Sequence, residues 1–371
     1  MKVLFLIASL EIGGAERQLV ACANGLAARK HDVQVLTLYP GGPLETKLTD
    51  VSLRTLNKRG RWDLVGCAGR LIRAIRDFNP DAIYSFLGTS NILAGALKGL
   101  AFRAPMVWSI RASNMDLAHY DYAARLAARI EVMLSRRATA IIANSHAGKA
   151  HAIARGMNAD KIEVIPNGID TDIFVPDRER GAALRQKWTS RNTDILIGVI
   201  ARFDPMKGHV TLLAAANRIK EHNAAIRFVC VGSGRLERTI QDKARELGLA
   251  DSFAWPGALQ DMVAVYNALD ICCLPSSFGE GFPNALGEAM SCNIPCLATD
   301  VGDAAMVIGE TGIVVPPDAP EALADGLLRL AAGIARNETP DAREHILAHY
   351  SLEAMVDATE TALSALCRRA G

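Results

Sequence analysis

Short apolar runs alternate along the chain with stretches of helical period. Val3–Ala8, Val33–Leu38, Asp81–Phe86, Met106–Ile110 and Ala140–Ala143 are brief and nearly continuously apolar, the pattern of strands buried on both faces. Between the first two, Leu19, Ala23 and Leu26 recur at helical spacing. Arg61–Phe78 sets Trp62, Val65, Ala68, Leu71, Ile72, Ile75 and Phe78 on one face and Arg70, Arg73 and Arg76 off it. Gly88-Thr-Ser-Asn91 reads as the cap of a further helix, residues 119–137 as another, and Asn144-Ser145 as the cap of one starting at His146. Strand-helix alternation predicts a mostly parallel sheet covered on both faces.

The pattern then pauses. Lys161–Phe174, with Ile165-Pro-Asn-Gly-Ile-Asp170 at its centre, reads as a turn-rich connection. A second series follows: Ile195–Ile200, Arg227–Val231, Phe253–Gly257, Ile271–Leu274, Cys296–Asp300 and Ile313–Val315 as strands, with helices at 261–268, after Pro283, at 320–332 and at 351–367. The expectation is an α/β chain of two Rossmann-like domains, 1–174 and 175–351.

The 371 residues suffice for two cores, and a half-hydrophobic composition with net charge +1 is that of an ordinary globular protein. The small net charge conceals a split. Residues 1–175 hold 22 Lys and Arg against 15 Asp and Glu, and the remainder 19 against 25. The basic first half either attracts phosphates, an anionic lipid surface or an anionic acceptor, or is a solvated face without function. The Arg70, Arg73 and Arg76 helix carries the same two readings, a membrane-surface helix or a core-packed one with a solvated basic face. Eight scattered cysteines form no CxxC pair and read as reduced core residues of a cytosolic protein. Val3–Leu10 reads as a strand rather than a leader, because a glycine turn and a helix follow it, and no run reaches the roughly 20 apolar residues of a membrane span.

The chemistry gathers where strands end. Glu11-Ile-Gly13-Gly14-Ala-Glu16-Arg17 is a glycine turn after the first strand, either a close-approach site for a phosphate or a plain tight turn. It is not GxGxxG, so a nicotinamide oxidoreductase is disfavoured. Arg202-Phe-Asp-Pro-Met-Lys207-Gly208-His209 presents two cations on a tight loop that can grip a diphosphate. Gly232-Ser-Gly234 is another close-approach turn, and Phe253-Ala-Trp-Pro-Gly257 offers a wall for a base. In Pro275-Ser-Ser-Phe-Gly-Glu280-Gly-Phe-Pro-Asn-Ala-Leu-Gly-Glu288, two carboxylates flank a helix N-terminus, which suits a ligand with hydroxyls at both ends and a diphosphate between. Asp170-Thr-Asp172 has the spacing of a metal clamp but lies in a linker with no further carboxylate cluster.

As a set, Gly13-Gly14-Ala-Glu16-Arg17, Asn144-Ser145, Ile165–Asp170, Arg202-x4-Lys207-Gly208, Val231-Gly-Ser-Gly234 and Glu280-x7-Glu288 resemble the retaining glycosyltransferase family 4 along nearly the whole chain. The resemblance implies the GT-B fold, two Rossmann-like domains facing across a cleft, with the last helix (352–371) crossing back to the first domain. It implies a hexose or N-acetylhexosamine moved from a nucleotide diphosphate sugar, UDP favoured, to a lipid-linked or polysaccharide acceptor, with no metal or other cofactor and no nucleic acid. Arg202 and Lys207 would hold the diphosphate, with the Gly13-Gly14 backbone. Glu280 would meet sugar hydroxyls with the backbone of Gly281, Phe282, Pro283 and Asn284, and Glu288 the ribose. Gly232, Gly257 and Leu259 would border the base. Either Arg111 or Asn114 would take the place of the family's usual His. Two further departures are Cys292-Asn-Ile-Pro295 for Cys-Gly-x-Pro and Gly302-Asp-Ala-Ala-Met306 for Gly-Gly-x-x-Glu. The implied location is cytoplasmic, at the inner face of the membrane if the basic half touches it. A nucleotide-sugar-binding protein without catalysis is the reading of another class.

Overall fold

All of Val3–Ile7 is buried, and these residues form most of β1 (Lys2–Ile7), the strand about which the first sheet winds. The computed structural model describes residues 1–60, 62–111, 122–189, 191, 193–222, 225–336 and 338–370. After β1 come α1 (Gly14–Ala28), β2 (Asp32–Thr37), β3 (Ser52–Thr55), α2 (Leu64–Phe78), β4 (Ala82–Phe86), α3 (Leu87–Leu97), β5 (Met106–Ile110), α4 (Tyr122–Ser135), β6 (Ala140–Ala143), α5 (His146–Ala154) and β7 (Ile162–Val164). Their spatial order is β3-β2-β1-β4-β5-β6-β7, every pair parallel. Winding therefore reverses between β1 and β4, the switch point at which open sheets bind ligands beyond the strands' C-terminal ends.

The second sheet repeats the plan. After α6 (Arg178–Trp188) come β8 (Ile195–Ile200), α7 (His209–His222), β9 (Ile226–Val231), α8 (Glu237–Glu246), β10 (Phe253–Gly257), α9 (Met262–Ala268), β11 (Ile271–Leu274), α10 (Asn284–Ser291), β12 (Cys296–Thr299), α11 (Ala304–Ile308), β13 (Ile313–Val315), α12 (Pro320–Ala335), α13 (Ala342–His349) and α14 (Leu352–Ala370). The strands lie in the order β10-β9-β8-β11-β12-β13, again all parallel, with the switch point between β8 and β11. Each sheet is sandwiched between two apolar layers. Phe203, Phe228 and Leu327 belong to one layer of the second sheet and Tyr266, Leu286 and Met290 to the other. The two parallel sheets with alternating helices make an α/β GT-B fold.

The chain divides into two compact units, Met1–Gly168 with Leu352–Gly371, and Ile169–Ser351. Met355, Val356 and Leu363 of α14 are buried in the first unit's core, and Val356 fills the space over Gly25 of α1. The division falls at 168/169 rather than the expected 174/175. Ile169 is buried in the second unit's core, its N–H donates to Tyr350 O at 2.8 Å, and Phe174 packs on the same core.

Several local expectations are corrected. The turn-rich connection contains β7, the edge strand of the first sheet. The buried line of α2 runs through Cys67, Leu71, Ala74 and Ile75, because the helix begins only at Leu64; Trp62 and Val65 are 85% and 88% exposed. Gly88–Asn91 does not cap α3 but lies inside it. Buried Asn91 accepts from Ser85 Oγ at 2.7 Å and donates to Ser109 O at 3.2 Å, tying β4 to β5. Ser145 does cap α5, accepting from Gly148 N at 3.0 Å. Pro283 is the N-cap of α10 rather than its first helical residue. Arg61, Asn114 and residues 119–121 of the expected fourth helix lie outside the described residues. Seven of the eight cysteines are buried and none is disulfide-bonded; burial pushes Cys230 and Cys273 above the usual thiol range. Among the described residues no helix is long and apolar enough to cross a membrane.

Candidate functional site

Every strand of the second sheet points the same way, so the loops after β8, β9, β10, β11 and β12 gather at one edge. Arg202–Lys207 follows β8 and Ser276–Glu280 follows β11, the two strands flanking the switch point. The sequence keeps these two loops in contact by removing side-chain bulk. Gly208 sits at φ 64°, and a Cβ there would lie 1.7 Å from Pro275 O. Gly279, at φ 78°, meets Met206 Cε at 2.8 Å from its would-be Cβ, and Ser277 N donates to Met206 O at 2.8 Å.

This approach brings Lys207 onto Glu280. Lys207 Nζ donates to Glu280 Oε1 at 2.5 Å, with side-chain exposures of 17% and 8%. Ser276, fully buried, donates its hydroxyl to the same carboxylate oxygen at 2.6 Å and is itself fixed by Thr299 Oγ1, which donates to Ser276 O at 2.5 Å. Arg202 is exposed, directly beyond β8. It meets no carboxylate at ion-pair distance among the described residues. Buried His209 opens α7, its ring stacked on Phe203 at 4.6 Å; burial, then the neighbouring Lys207 charge, hold its pKa down at about 4.

Glu288 lies inside α10, 5% exposed, and accepts from Tyr266 Oη of α9 at 2.8 Å. Gly281 is fixed from the far side: its carbonyl accepts from Asp303 N at 3.1 Å, and Gly302, at φ 65°, presses on the Glu280 and Gly281 carbonyls so closely that a Cβ would lie 2.5 Å from the first. These contacts use the retained Gly302 and a backbone N–H, so the departures at Asp303 and Met306 have no structural explanation. The departure at Asn293 has one. Its φ is 57°, a conformation open to Gly and Asn, and its side chain accepts from Ala342 N at 3.1 Å at the start of α13.

Gly232 N donates to Gly257 O at 2.9 Å, and Gly232 itself leaves no room for a Cβ beside Ala201 O. Leu259 packs on the core edge. Phe282 turns its ring inward against Tyr350, 5.3 Å away, so only its backbone is available at this edge. Trp255, partly exposed, stacks on Phe253 at 5.1 Å and packs against the core beneath. The Asp170 carboxylate accepts from Asp172 N and Ile173 N, forming a turn, and no group of three or more His, Cys, Asp or Glu side chains suited to a metal occurs among the described residues. Ser276, Tyr266 and Met206 carry no role that the sequence alone assigns. Tyr266 reads there as one more apolar helix residue.

Gly13, Gly14 and Arg111 belong to the first unit. Gly13, in extended backbone, precedes the first turn of α1 without a side-chain cap of its own, and the Glu16 carboxylate folds back against it, where a Cβ would lie 2.1 Å from Glu16 Oε2. Arg111 follows β5 and donates to Ser109 Oγ at 2.5 Å, Asn167 Oδ1 at 2.8 Å and Tyr84 Oη at 3.1 Å.

Two family models match, that of Glycosyltransferase Family 4 over residues 12–173 and that of Glycosyl transferases group 1 over residues 194–332. The chain belongs to glycosyltransferase family 4. It is 33% identical over 190 residues to a D-inositol 3-phosphate glycosyltransferase of Mycobacteroides abscessus, covering 48% of this chain and 42% of that one. It is 26% identical over 300 residues to an undecaprenol-diphosphate-glycan N-acetyl-D-galactosaminyltransferase of Campylobacter jejuni, covering 78% and 77%. The chain spans about half the length of the curated relatives that it matches first. Among solved structures, Anabaena HepE in complex with UDP-glucose superposes with a TM-score of 0.85 over 98% of this chain and 100% of that one, at 22% identity, which supports the shared fold.

Proposed function

We propose that the protein transfers a hexose or N-acetylhexosamine from a nucleotide diphosphate sugar, UDP-linked by preference, to a glycan or lipid-linked acceptor. The observation that carries this reading is the Lys207–Glu280 pair at the switch point of the second sheet. It couples a phosphate-seeking cation to a carboxylate able to accept from sugar hydroxyls. Arg202 and Lys207 neutralise the leaving diphosphate together with the N-terminal ends of nearby helices, so the reaction proceeds without a metal. Glu288, oriented by Tyr266, accepts from ribose hydroxyls, and the Gly232, Gly257 and Leu259 turns border the base.

Glu280, ion-paired and hydrogen-bonded, is a positioning and electrostatic group rather than a nucleophile. The bond from the anomeric carbon to the leaving phosphate oxygen breaks as the acceptor oxygen bonds on the same face, and that phosphate oxygen takes the acceptor's proton. The anomeric configuration is retained. The UDP-glucose complex of HepE and the lipid-diphosphate substrate of the Campylobacter relative support the donor and acceptor classes. The exposed Trp62, Leu64 and Val65, on a unit with a basic surplus, support an acceptor met at a membrane surface.

The test is transfer and donor hydrolysis across a panel of nucleotide sugars, with and without a chelator, and product anomeric configuration by NMR. Turnover of a UDP-sugar, unaffected by the chelator and with retention, is expected. Absence of turnover with every donor overturns the reading.

A further inference from the structure

In the first unit, Arg111 is a half-buried cation whose hydrogen-bond and ring partners among the described residues are all neutral. Three of the five guanidinium N–H groups donate, to Ser109, Asn167 and Tyr84, each at most 3% exposed, and the guanidinium carbon lies 4.6 Å from the centre of the Phe86 ring. No carboxylate among the described residues lies at ion-pair distance. The two titratable neighbours do not supply a charge either. Burial holds the Tyr84 phenol up at about 12 and the Cys22 thiol at about 11, despite the pull of Arg111 itself. A partly desolvated charge left without a counter-ion is costly unless a ligand provides one.

The location suits a ligand. Arg111 stands directly beyond the C-terminal end of β5, on the edge to which the Gly13-Gly14 turn also belongs. At the end of the neighbouring β4, Leu87 adopts φ 69°, a left-handed conformation unfavourable for a bulky residue. Such strain is retained where it places a functional group, and here it follows Phe86, whose ring supports Arg111.

We propose that Arg111 is a preorganised receptor for an anionic group, a phosphate or a carboxylate, on the ligand taken up by the first unit. Its two remaining N–H donors, one on each terminal nitrogen, can engage both oxygens of such a group. This deepens the transferase reading by naming a charged substrate class, a phosphate-bearing acceptor or a uronic acid.

The test measures binding rather than turnover, so its outcome is separable from that of the transferase assay. In the full chain carrying Arg202→Gln, Lys207→Met and Glu280→Gln, which removes the phosphate grip of the second unit without leaving Glu280 an unpaired buried charge, binding of inorganic phosphate and of glucuronate is measured by calorimetry, with glucose as the uncharged control. Binding of either anion but not of glucose is expected, weakened about tenfold or more by Arg111→Gln and less by Arg111→Lys. Phosphate binding alone assigns a phosphorylated ligand and glucuronate binding alone an acidic sugar. No binding of either anion, or equal binding by the Gln variant, overturns the proposal. Because Arg111→Gln also removes three hydrogen bonds, phenylglyoxal labelling of Arg111 in the unmutated chain provides a second readout. The bound anion should slow labelling several-fold and glucose should not; an unchanged rate overturns the assignment.

Discussion

Lys207 and Glu280, 73 positions apart in the chain, meet at 2.5 Å with both side chains largely withdrawn from water. Neither charge is comfortable there alone. Lys207→Ala should therefore destabilise the second unit by about 3–5 kcal/mol, as breaking a buried pair from one side does. Lys207→Met combined with Glu280→Gln should recover most of that loss while abolishing donor turnover. Urea unfolding of the single and double variants checks the coupling; additive losses would contradict it.

Gly208→Ala tests the backbone contact that makes the pair. A methyl group 1.7 Å from Pro275 O cannot be accommodated, and φ 64° disfavours any Cβ. The expected outcome is a drop in thermal midpoint of several degrees, with loss of nucleotide diphosphate affinity even in folded protein. Calorimetry with UDP follows the second effect.

Tyr266→Phe removes one hydroxyl and leaves Glu288 in place. A bond to a buried carboxylate contributes about 1.5–3 kcal/mol, so uridine and UDP should bind at least tenfold more weakly if Glu288 reads the ribose. Binding of inorganic pyrophosphate should change little. Equal weakening of both would move Glu288 away from the ribose.

His209 sets a pH dependence. Its folded pKa is about 4, below the ordinary 6.5, so the unfolded chain takes up a proton that the folded one refuses. That contribution is present in full above about pH 6.5 and is lost as pH falls toward 4. It amounts to about 3 kcal/mol for a shift of this size. His209→Phe should flatten this part of the stability profile, measured by urea unfolding between pH 7.5 and 4.5.

Parallel strands buried on both faces are continuous apolar runs, and so β5, β6, β8 and β11 were legible to the residue, as were the less buried β10 and β13 from their apolar and β-branched residues. Strand β3, with exposed Ser52 and Leu53 at a sheet edge, carries no such run, and β7 is only three residues long inside a Pro-Asn-Gly connection. Helix α6 is polar nearly all round, with Gly181 its one buried residue, so no apolar stripe announced it. For the site, the cations and carboxylates were visible because charge at strand ends is unusual. Their support was not, since Tyr266 and Ser276 resemble ordinary core and loop residues until the fold brings them to Glu288 and Glu280.

The enclosure of residues 169–351 between the two segments of the first unit has a consequence for synthesis. On the ribosome, the second unit holds its entire core as soon as Ser351 has emerged, whereas the first still lacks Met355, Val356 and Leu363. The half of the protein made first is therefore the half completed last. Until α14 arrives, the apolar face of α1 around Gly25 stays uncovered, so a released chain truncated after Ser351 should be protease-resistant in the later unit and sensitive in the earlier one.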